Sequence, residues 1–262
     1  MFFVALVEFI MRRRRKALGL FLLAWLPMTV LIGRENRWEL RAPLSTYGHL
    51  RVVQWNVYWG KLGWEKIVSE LQKEQADIHI LNEVPKDFDA TTYAGQLGPD
   101  FSATHLGTMA AAVRGRIVAG EWVINRVELK ICQLDCLVRG DTLRIFIADA
   151  PASLWIHRHP QLLECMEAIR SRSPDLVLGD FNAPRLSVAF QSLPPGYSHA
   201  YDVAGSGWSY TWPSPFPIFA LDQCLVGPRI APLEYFIIST SMSDHRRQVL
   251  EFDRTDSLRP DT

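Results

Sequence analysis

A carboxylate and an amide follow a short apolar run near the middle of the chain. Residues 176–178 are Leu-Val-Leu, Gly179 follows, and Asp180 and Asn182 lie two residues apart before Pro184. An apolar run without polar alternation indicates a strand buried on both faces, and side chains two apart on an extended chain point the same way. An acid that activates water and an amide that stabilises an anionic transition state suit metal-assisted hydrolysis. The alternative is that both are turn residues after a strand.

Five further polar residues adjoin apolar runs in the same manner: Asn56, Glu83, Asp222, Asp244 and His245. Asp222 lies inside the apolar segment 220–226, where a charge requires a partner. A carboxylate behind a histidine fixes the tautomer of the ring and supports its charged form. Each residue has a structural alternative, such as a salt bridge for Glu83 or a packed loop position for His245. Together they predict a polar site at strand ends, where α/β proteins place their site residues.

Hydrophobic periodicity predicts the elements that must position these side chains. The predicted helices cover residues 64–75, 159–171 and 186–193. The predicted strands cover residues 49–56, 77–81, 109–113, 117–124, 127–138, 143–148, 175–180, 219–226, 232–238 and 246–252. Helices and strands that alternate along the chain indicate an α/β fold.

Length and composition are compatible with one large α/β domain or two small ones. The chain has 262 residues, of which 48% are hydrophobic. Residues 34–262 carry 23 basic and 27 acidic side chains, a formal net charge of −4. A mildly acidic protein is a poor electrostatic match for long nucleic acid, so that partner is possible but not favoured. Four cysteines lack the spacing of zinc ligands: Cys132, Cys136, Cys165 and Cys224. Buried free thiols are the default expectation, and disulfide pairings other than Cys132 with Cys136 stay open.

The N-terminal segment has the pattern of a membrane anchor. Five basic residues at 12–16 precede residues 17–33, an uncharged run of about 17 residues, near the lower limit for a helix that spans a bilayer. A signal peptide and a buried core helix are alternatives, but no convincing cleavage site is evident and the basic cluster opposes the helix dipole. We therefore expect an uncleaved, single-pass anchor in the cell membrane. The positive-inside rule places the rest of the chain outside the cytoplasm.

Five short motifs occur in order along the chain: Gln54-Trp-Asn56, Leu81-Asn-Glu83, Gly179-Asp-Phe-Asn182, Leu221-Asp222 and Ser243-Asp-His245. With these motifs, residues 49–253 resemble the endonuclease/exonuclease/phosphatase superfamily. Thr211-Trp-Pro213 ahead of Leu221-Asp222 resembles a membrane-anchored bacterial-type branch of it. The expected organisation is a basic segment with its anchor, a linker, a catalytic domain and a polar tail: residues 1–33, 34–48, 49–253 and 254–262.

The resemblance implies an α/β fold in which a two-layer β-sandwich is flanked by helices, preceded here by the transmembrane helix. It also implies that the protein hydrolyses a phosphodiester or phosphomonoester with Mg²⁺ or Mn²⁺, hard ions that take oxygen ligands. Asn56, Glu83 and Asp244 are the metal-site residues that it implies. The substrate is then a phosphate ester, and the membrane is a second partner through residues 17–33.

The resemblance also implies roles for four catalytic residues. Asp180 orients or deprotonates the attacking water, and Asn182 donates to the transition-state oxygens. His245, oriented by Asp222, contacts the scissile phosphate or transfers a proton.

One residue of the family pattern is missing. The family usually carries a Thr-His pair after a strand ahead of the Gly-Asp-Phe-Asn motif, and that histidine contacts the phosphate. Here Ala150 or Pro151 occupies the place, within a residue, and the nearby Asp149 has the wrong charge to hold a phosphate. Tyr58 also stands where some members have a metal-binding acid or amide.

Two functions are compatible with this pattern. The first is a membrane-anchored, metal-dependent phosphoesterase. The second is a catalytically weak or inactive member that binds a phosphorylated ligand or partner at the cell envelope. An anchored structural module leaves the polar strand ends unexplained. The sequence does not distinguish among DNA, RNA, phospholipid headgroups and sugar phosphates, and it leaves the oligomeric state open.

Overall fold

The structure is a computed structural model that describes residues 2–38, 49–153 and 155–255. Its helices are α1 (Phe2–Glu35), α2 (Trp64–Glu74), α3 (Ala90–Leu97), α4 (Arg158–Arg172) and α5 (Ala200–Ala204), with 3₁₀ turns at Tyr58–Gly60 and Val188–Ser192. Its strands are β1 (Leu50–Asn56), β2 (Ile78–Asn82), β3 (Phe101–Leu106), β4 (Met109–Asn125), β5 (Lys130–Val138), β6 (Asp141–Asp149), β7 (Leu176–Asp180), β8 (Ser198–His199), β9 (Asp222–Val226), β10 (Ile230–Ile238) and β11 (Arg247–Arg254).

The long strand β4 divides the strands into two sheets. Its first half pairs with β2 and β3, and its second half pairs with β5. Sheet 1 has the order β10-β11-β1-β2-β4 with β3 beside β4, and sheet 2 has the order β4-β5-β6-β7-β9-β8. Gly115 lies between the halves with φ +142°, and a Cβ there would lie 2.1 Å from the carbonyl oxygen of Leu137. Only glycine allows this close approach of two backbones.

The sheets pack face to face around the main core. Alternate residues of each strand face the partner sheet, so Val52 and Ile80 of sheet 1 meet Leu134 and Ile147 of sheet 2 in one buried cluster. The intervening residues face outward and contact helices. Trp55 packs with α2 and α3 on the outside of sheet 1. The outside of sheet 2 packs against α4 in the same way.

The predicted fold class is confirmed as a mixed α/β sandwich. Most predicted strands and the helices at 64–75 and 159–171 are present with ends shifted by a few residues. The predicted strands at 109–113 and 117–124 are one continuous strand, because its pairing passes from β3 at Arg114 to β5 at Gly115 without a gap. The prediction omitted α3, β3, β8 and α5, and the helix predicted at 186–193 is a 3₁₀ turn. All four cysteines are free and buried, as predicted.

The predicted anchor lies on α1. Among the described residues, no helix has the length and apolarity that crossing a membrane requires. The helix ends on the domain that residues 49–255 form, where Glu35 and Asn36 are buried. Arg185 Nη2 donates to the carbonyl oxygen of Glu35 over 2.6 Å, and Ser209 N donates to Asn36 Oδ1 over 2.7 Å. Residues 39–48 of the predicted linker and 256–262 of the predicted tail lie outside the described residues.

Candidate active site

Four residues of sheet 2 lie side by side at one rim of the sandwich. The register pairs Lys130 with Asp149, Asp149 with Asp180, and Asp180 with Asp222. In β7, Leu178 faces the core between the sheets, so Asp180, two positions further, continues the same row to the rim. The neighbouring strands β6, β7 and β9 each have a carboxylate at this end, next to apolar residues. Three acidic side chains therefore lie at the open end of the core.

Sheet 1 contributes three amide side chains opposite this row. Asn56 Nδ2 donates to Asp180 Oδ2 over 3.1 Å, and Gln54 Nε2 donates to Asp222 Oδ1 over 3.3 Å. Asn82 Nδ2 donates to the carbonyl oxygen of Ala148 over 2.8 Å. All three amides are buried. Their hydrogen bonds connect the two sheets at the rim. Two of them supply the N–H donors that the buried carboxylates of Asp180 and Asp222 require.

His245 lies between two carboxylates. Its Nδ1 is 2.8 Å from Asp222 Oδ2, and its Nε2 is 3.9 Å from Asp180 Oδ2. Burial opposes the charged ring, but the carboxylates of Asp222, Asp180 and Asp244 outweigh it and raise the pKa of His245 to about 10. The ring is therefore an imidazolium at neutral pH, with Nδ1–H donating to Asp222 and Nε2–H available toward the cleft.

The loop before β11 holds this ring in place. Ser243 Oγ donates to the carbonyl oxygen of Asn56 over 2.7 Å and accepts from the backbone N–H of His245 over 3.0 Å. Trp55 Nε1 donates to the carbonyl oxygen of His245 over 3.0 Å. The Ser-Asp-His motif is therefore tied directly to the end of β1.

Asp180 has a raised pKa. Burial is the largest cause, the negative charge of Asp222 adds to it, and His245 and the hydrogen bonds from Asn182 N and Asn56 oppose it. A carboxylate with a pKa near neutrality can take a proton from water and release it again. The site thus places a proton acceptor, Asp180, beside a proton donor, His245.

Asn182 adopts a left-handed backbone conformation with φ +45°. This conformation lets its backbone N–H donate to Asp180 Oδ1 over 2.9 Å. Its side-chain Nδ2 donates to the carbonyl oxygen of Ala150 over 2.7 Å, so one of its two amide hydrogens is already engaged. Asn182 therefore lies in the site, as predicted, and also ties β7 to the segment that follows β6.

The predicted metal-site residues Glu83 and Asp244 lie on the same side of the cleft. Half-buried Glu83 has a raised pKa, chiefly through burial; a hydrogen bond from Asn56 and the charge of His245 oppose the rise, and Asp149 and Asp244 add to it. Its φ of +52° is uncommon for a residue with a side chain and occurs where neighbouring structure enforces it. Asp244 Oδ2 accepts from Trp212 Nε1 over 3.2 Å.

This oxygen-rich donor set fits a divalent cation such as Mg²⁺ or Mn²⁺. Several carboxylates raise one another's pKa, and a cation between them would relieve that repulsion. Among the described residues, ligand atoms of Asp180, Asp222 and His245 lie within 4.8 Å of one another. A protonated imidazole is not a ligand, however, so the side of the cleft with Glu83, Asn56 and Asp244 suits a cation better. Asn56 Oδ1 accepts from Tyr58 N over 3.0 Å and retains one lone pair.

The structure also places residues in the site that sequence reasoning did not assign to it. Asp149 accepts a short hydrogen bond from Thr108 Oγ1, and Lys130 Nζ lies 3.5 Å from that oxygen. Burial raises the pKa of Asp149, while Thr108 and Lys130 oppose the rise. Asp149 directly follows the strand predicted at 143–148, so a search for acidic residues at strand ends could have found it, as it found Asp180. No sequence signal marks Thr108, which reaches the site through the pairing of β4 with β2.

The segment that should carry the phosphate-contacting histidine lies beside Asp180. Ala150 N donates to the carbonyl oxygen of Asp180 over 2.9 Å, and Ala150 is buried. The small side chain at this position contributes no donor to the cleft. The histidine that the family pattern has here is therefore missing from the site itself, as the sequence predicts.

Comparisons with known proteins agree with the fold. The model of the Endonuclease/Exonuclease/phosphatase family matches residues 53–245. A D. rerio TDP2 structure complexed with single strand DNA product is 16% identical, with 79% of this chain and 99% of that chain covered and a TM-score of 0.63. The human Nocturnin catalytic domain with bound sulfate is 19% identical, with 79% and 94% covered and a TM-score of 0.63.

A bacterial phosphatase has the same fold. The mannosyl-6-phosphatase of Bacteroides thetaiotaomicron is 15% identical, with 78% of this chain and 99% of that chain covered and a TM-score of 0.61. No curated protein shows significant sequence similarity to the chain. The match of the family model spans most of the chain and includes all five strand-end motifs, so the chain belongs to the Endonuclease/Exonuclease/phosphatase family.

Proposed function

We propose that the protein hydrolyses phosphate esters with the help of a divalent cation. The observation that carries the proposal is the position of His245, held by Asp222 at 2.8 Å with its other nitrogen 3.9 Å from Asp180. An imidazolium facing a carboxylate of raised pKa provides an acid and a base 3.9 Å apart at the same rim. A structural role does not require both charges to be buried at the same rim.

The side chains divide the reaction between them. Asp180 takes a proton from the attacking water as the water oxygen bonds to phosphorus. His245 gives the Nε2 proton to the leaving oxygen as the bond between that oxygen and phosphorus breaks, while Asp222 keeps the ring oriented. The free amide hydrogen of Asn182 stabilises the charged oxygens of the transition state. A cation held by Asn56, Glu83 and Asp244 would neutralise charge on the phosphate.

Two proteins of the same fold have different phosphate compounds as ligand or substrate class. The D. rerio TDP2 structure contains a single strand DNA product, and the Bacteroides thetaiotaomicron protein is a mannosyl-6-phosphatase. Both support a phosphodiester or phosphomonoester substrate here. The net charge of −4 over residues 34–262 argues against long nucleic acid as the substrate.

We also propose that the protein acts at the cell membrane, on its extracytoplasmic side. Five basic residues and an uncharged run in α1 support this location. The end of α1 is not a loose tether, because Arg185 contacts Glu35 and Asp202. An anchored helix would therefore hold the domain in a fixed orientation.

Two treatments test the location. Protease added to spheroplasts should digest the catalytic domain, and alkaline carbonate should leave the protein in the membrane pellet. Protection until lysis would contradict the orientation, and release by carbonate would contradict the anchor.

A second function has one observation in its favour. Residues 150–153, directly after β6, contain no histidine, and Asn182 Nδ2 donates to the carbonyl oxygen of Ala150. A site with fewer free donors for the transition state would bind a phosphorylated ligand and turn it over slowly or not at all. Both functions use the same cleft, so the same experiment separates them.

The experiment is a panel of phosphodiesters and phosphomonoesters with the full chain in detergent, with and without Mg²⁺ or Mn²⁺. We expect turnover that requires the cation and is lost in Asp180→Asn. Titration calorimetry should show cation binding that is weaker in Glu83→Gln. Equal behaviour of wild type and Asp180→Asn on every substrate would favour the ligand-binding function, and equal cation affinity in Glu83→Gln would remove Glu83 from the metal site.

A further inference from the structure

Arg158 is a cation at the active-site rim that the proposed reaction does not use. It is the first residue of α4, which begins shortly after the end of β6. Its Nε lies 3.3 Å from the carbonyl oxygen of Asn182, and its Nη2 donates to the carbonyl oxygen of Pro151. The guanidinium therefore bridges the two backbone segments that flank Asp180.

One nitrogen of this guanidinium has no partner. Nη1 is excluded from solvent and has no hydrogen-bond acceptor among the residues that the structure describes. Burial lowers the pKa of Arg158, and the negative charge of Asp180 opposes that shift. A guanidinium remains charged under these conditions, so the free donor carries positive charge next to the catalytic carboxylate.

A positive charge at this position would add to that of the proposed metal ion. Carboxylates dominate the rim, and an anionic phosphate would be repelled by Asp149, Asp180 and Asp222. Two other cations at the rim already have partners. Lys130 lies near Thr108 and opposes the rise in the pKa of Asp149, and His245 Nδ1 is hydrogen-bonded to Asp222. The segment after β6 supplies no histidine at Ala150 or Pro151, but it does accept a hydrogen bond from the Arg158 guanidinium at the Pro151 carbonyl.

We propose that Arg158 binds a non-bridging oxygen of the substrate phosphate through Nη1, in place of the missing histidine. The proposal rests on the proposed function and names the residue that holds the phosphate group. The guanidinium presents planar donors in the geometry that phosphate oxygens accept. The 3.3 Å contact of Nε with the Asn182 carbonyl oxygen is long, so a turn of the guanidinium about its Nη2 contact with Pro151 breaks only a weak hydrogen bond.

The test compares Arg158→Ala, Arg158→Lys and a matched control, Arg170→Ala. Arg170 lies on the same helix but is exposed and pairs with Glu167 at the surface. The first measurement is the rise in melting temperature of the full-length protein with inorganic phosphate. We expect wild type and Arg170→Ala to be stabilised equally, Arg158→Lys less, and Arg158→Ala not at all.

The second measurement is steady-state hydrolysis of bis(p-nitrophenyl) phosphate with Mg²⁺. Loss of a charge-assisted hydrogen bond to the bound phosphate should raise KM about ten- to a hundredfold in Arg158→Ala, with partial recovery in Arg158→Lys. A residue that only braced the two segments would lower the melting temperature without phosphate and reduce kcat, yet leave the phosphate-dependent stabilisation and KM unchanged. That result would overturn the proposal, as would a wild type that phosphate does not stabilise.

The two readouts separate this proposal from the proposed function. Phosphate stabilisation that depends on Arg158, without turnover by the wild type, supports the phosphate site and contradicts hydrolysis. Turnover together with equal phosphate stabilisation of wild type and Arg158→Ala supports hydrolysis and contradicts the role of Arg158.

Discussion

The protonation of His245 depends on carboxylates from other parts of the chain. Asp222 accepts from Nδ1, and Asp180 lies on the opposite side of the ring. Because these charges raise the pKa of His245 to about 10, the ring stays charged through the neutral range. The charge is lost only as the pH rises through that value, so the acid function should persist in mildly alkaline solution.

The first prediction concerns this pKa. In histidine-labelled protein without metal, His245 should titrate near pH 10, and in Asp222→Asn it should titrate at lower pH, toward the ordinary value of about 6.5, because one stabilising carboxylate is gone. NMR of the ring protons measures both. Asp253→Asn is the control, since Asp253 pairs with His49 over 2.6 Å and should leave His245 unchanged. A wild-type His245 that titrates between pH 6 and 7 would contradict the assignment.

The second prediction concerns Asp180 and stability. Its pKa is raised in the folded protein, so the folded protein holds a proton that the unfolded chain releases from about pH 4 upward. The free energy of unfolding therefore falls as the pH rises toward 7. Without metal at pH 8, Asp180→Asn should be more stable than wild type by about 1–2 kcal/mol, and at pH 4 the difference should vanish.

Thermal unfolding at the two pH values in a chelator measures this difference. Asp175→Asn is the contrasting variant, because buried Asp175 accepts from Arg229 Nε over 2.7 Å and from Arg144 N over 2.8 Å. It should lose about 1–3 kcal/mol at pH 8. A loss of stability in Asp180→Asn at pH 8 would contradict the raised pKa of Asp180, because it would show that the charged carboxylate stabilises the folded protein.

At the scale of elements, one glycine brings β6 and β7 close enough to align their acidic ends. Gly179 has φ +145°, and a Cβ there would lie 2.0 Å from the carbonyl oxygen of Ala148. The residue after it is Asp180, paired with Asp149 on β6. The neighbour is backbone that cannot move aside, so a side chain at residue 179 does not fit.

The third prediction is that Gly179→Ala destabilises the protein by more than about 3 kcal/mol, because the clash and the strained φ act together. Gly95→Ala is the matched control. It lies within α3, a Cβ there meets nothing within 4 Å, and alanine should stabilise that helix by about 0.5–1 kcal/mol. Urea unfolding measures both. Similar stabilities of the two variants would contradict the close packing of β6 on β7.

Local sequence predicted most elements because their hydrophobic periods are strong. The strand before Asp180 is a short apolar run, and α2 has a clear apolar stripe with Ile67, Val68 and Leu71 buried. The omitted helix α3 contains Thr91, Thr92 and Gly95, which have low helix propensity, and its local start signal is the N-cap Asp89, whose side chain accepts from Thr92 N. Register between strands is set by packing across the sandwich, so no local pattern could predict that Lys130, Asp149, Asp180 and Asp222 form one row.

At the scale of the whole molecule, the candidate site combines residues that are far apart in the chain. Polar residues beside apolar runs predicted seven site residues by local pattern, and the structure brings them to one rim. Their pairings could not be predicted, because a hydrogen bond such as Gln54 to Asp222 joins strands of different sheets. The contacts of the predicted linker could not be predicted either. Its first residues, Asn36 and Arg37, form hydrogen bonds with Ser209 and Tyr201, which are far away in the chain.

The central claim is that Asp180 and His245 act as one hydrolytic unit, and a double-mutant cycle tests it most directly. The turnover number should be measured with Mg²⁺ on the best substrate of the panel for wild type, Asp180→Asn, His245→Ala and the double variant. Each single variant should lose about 10²- to 10⁴-fold in kcat, and the double variant should be little worse than either. Losses that multiply in the double variant would show independent roles, and a kcat of Asp180→Asn equal to that of wild type would contradict the account.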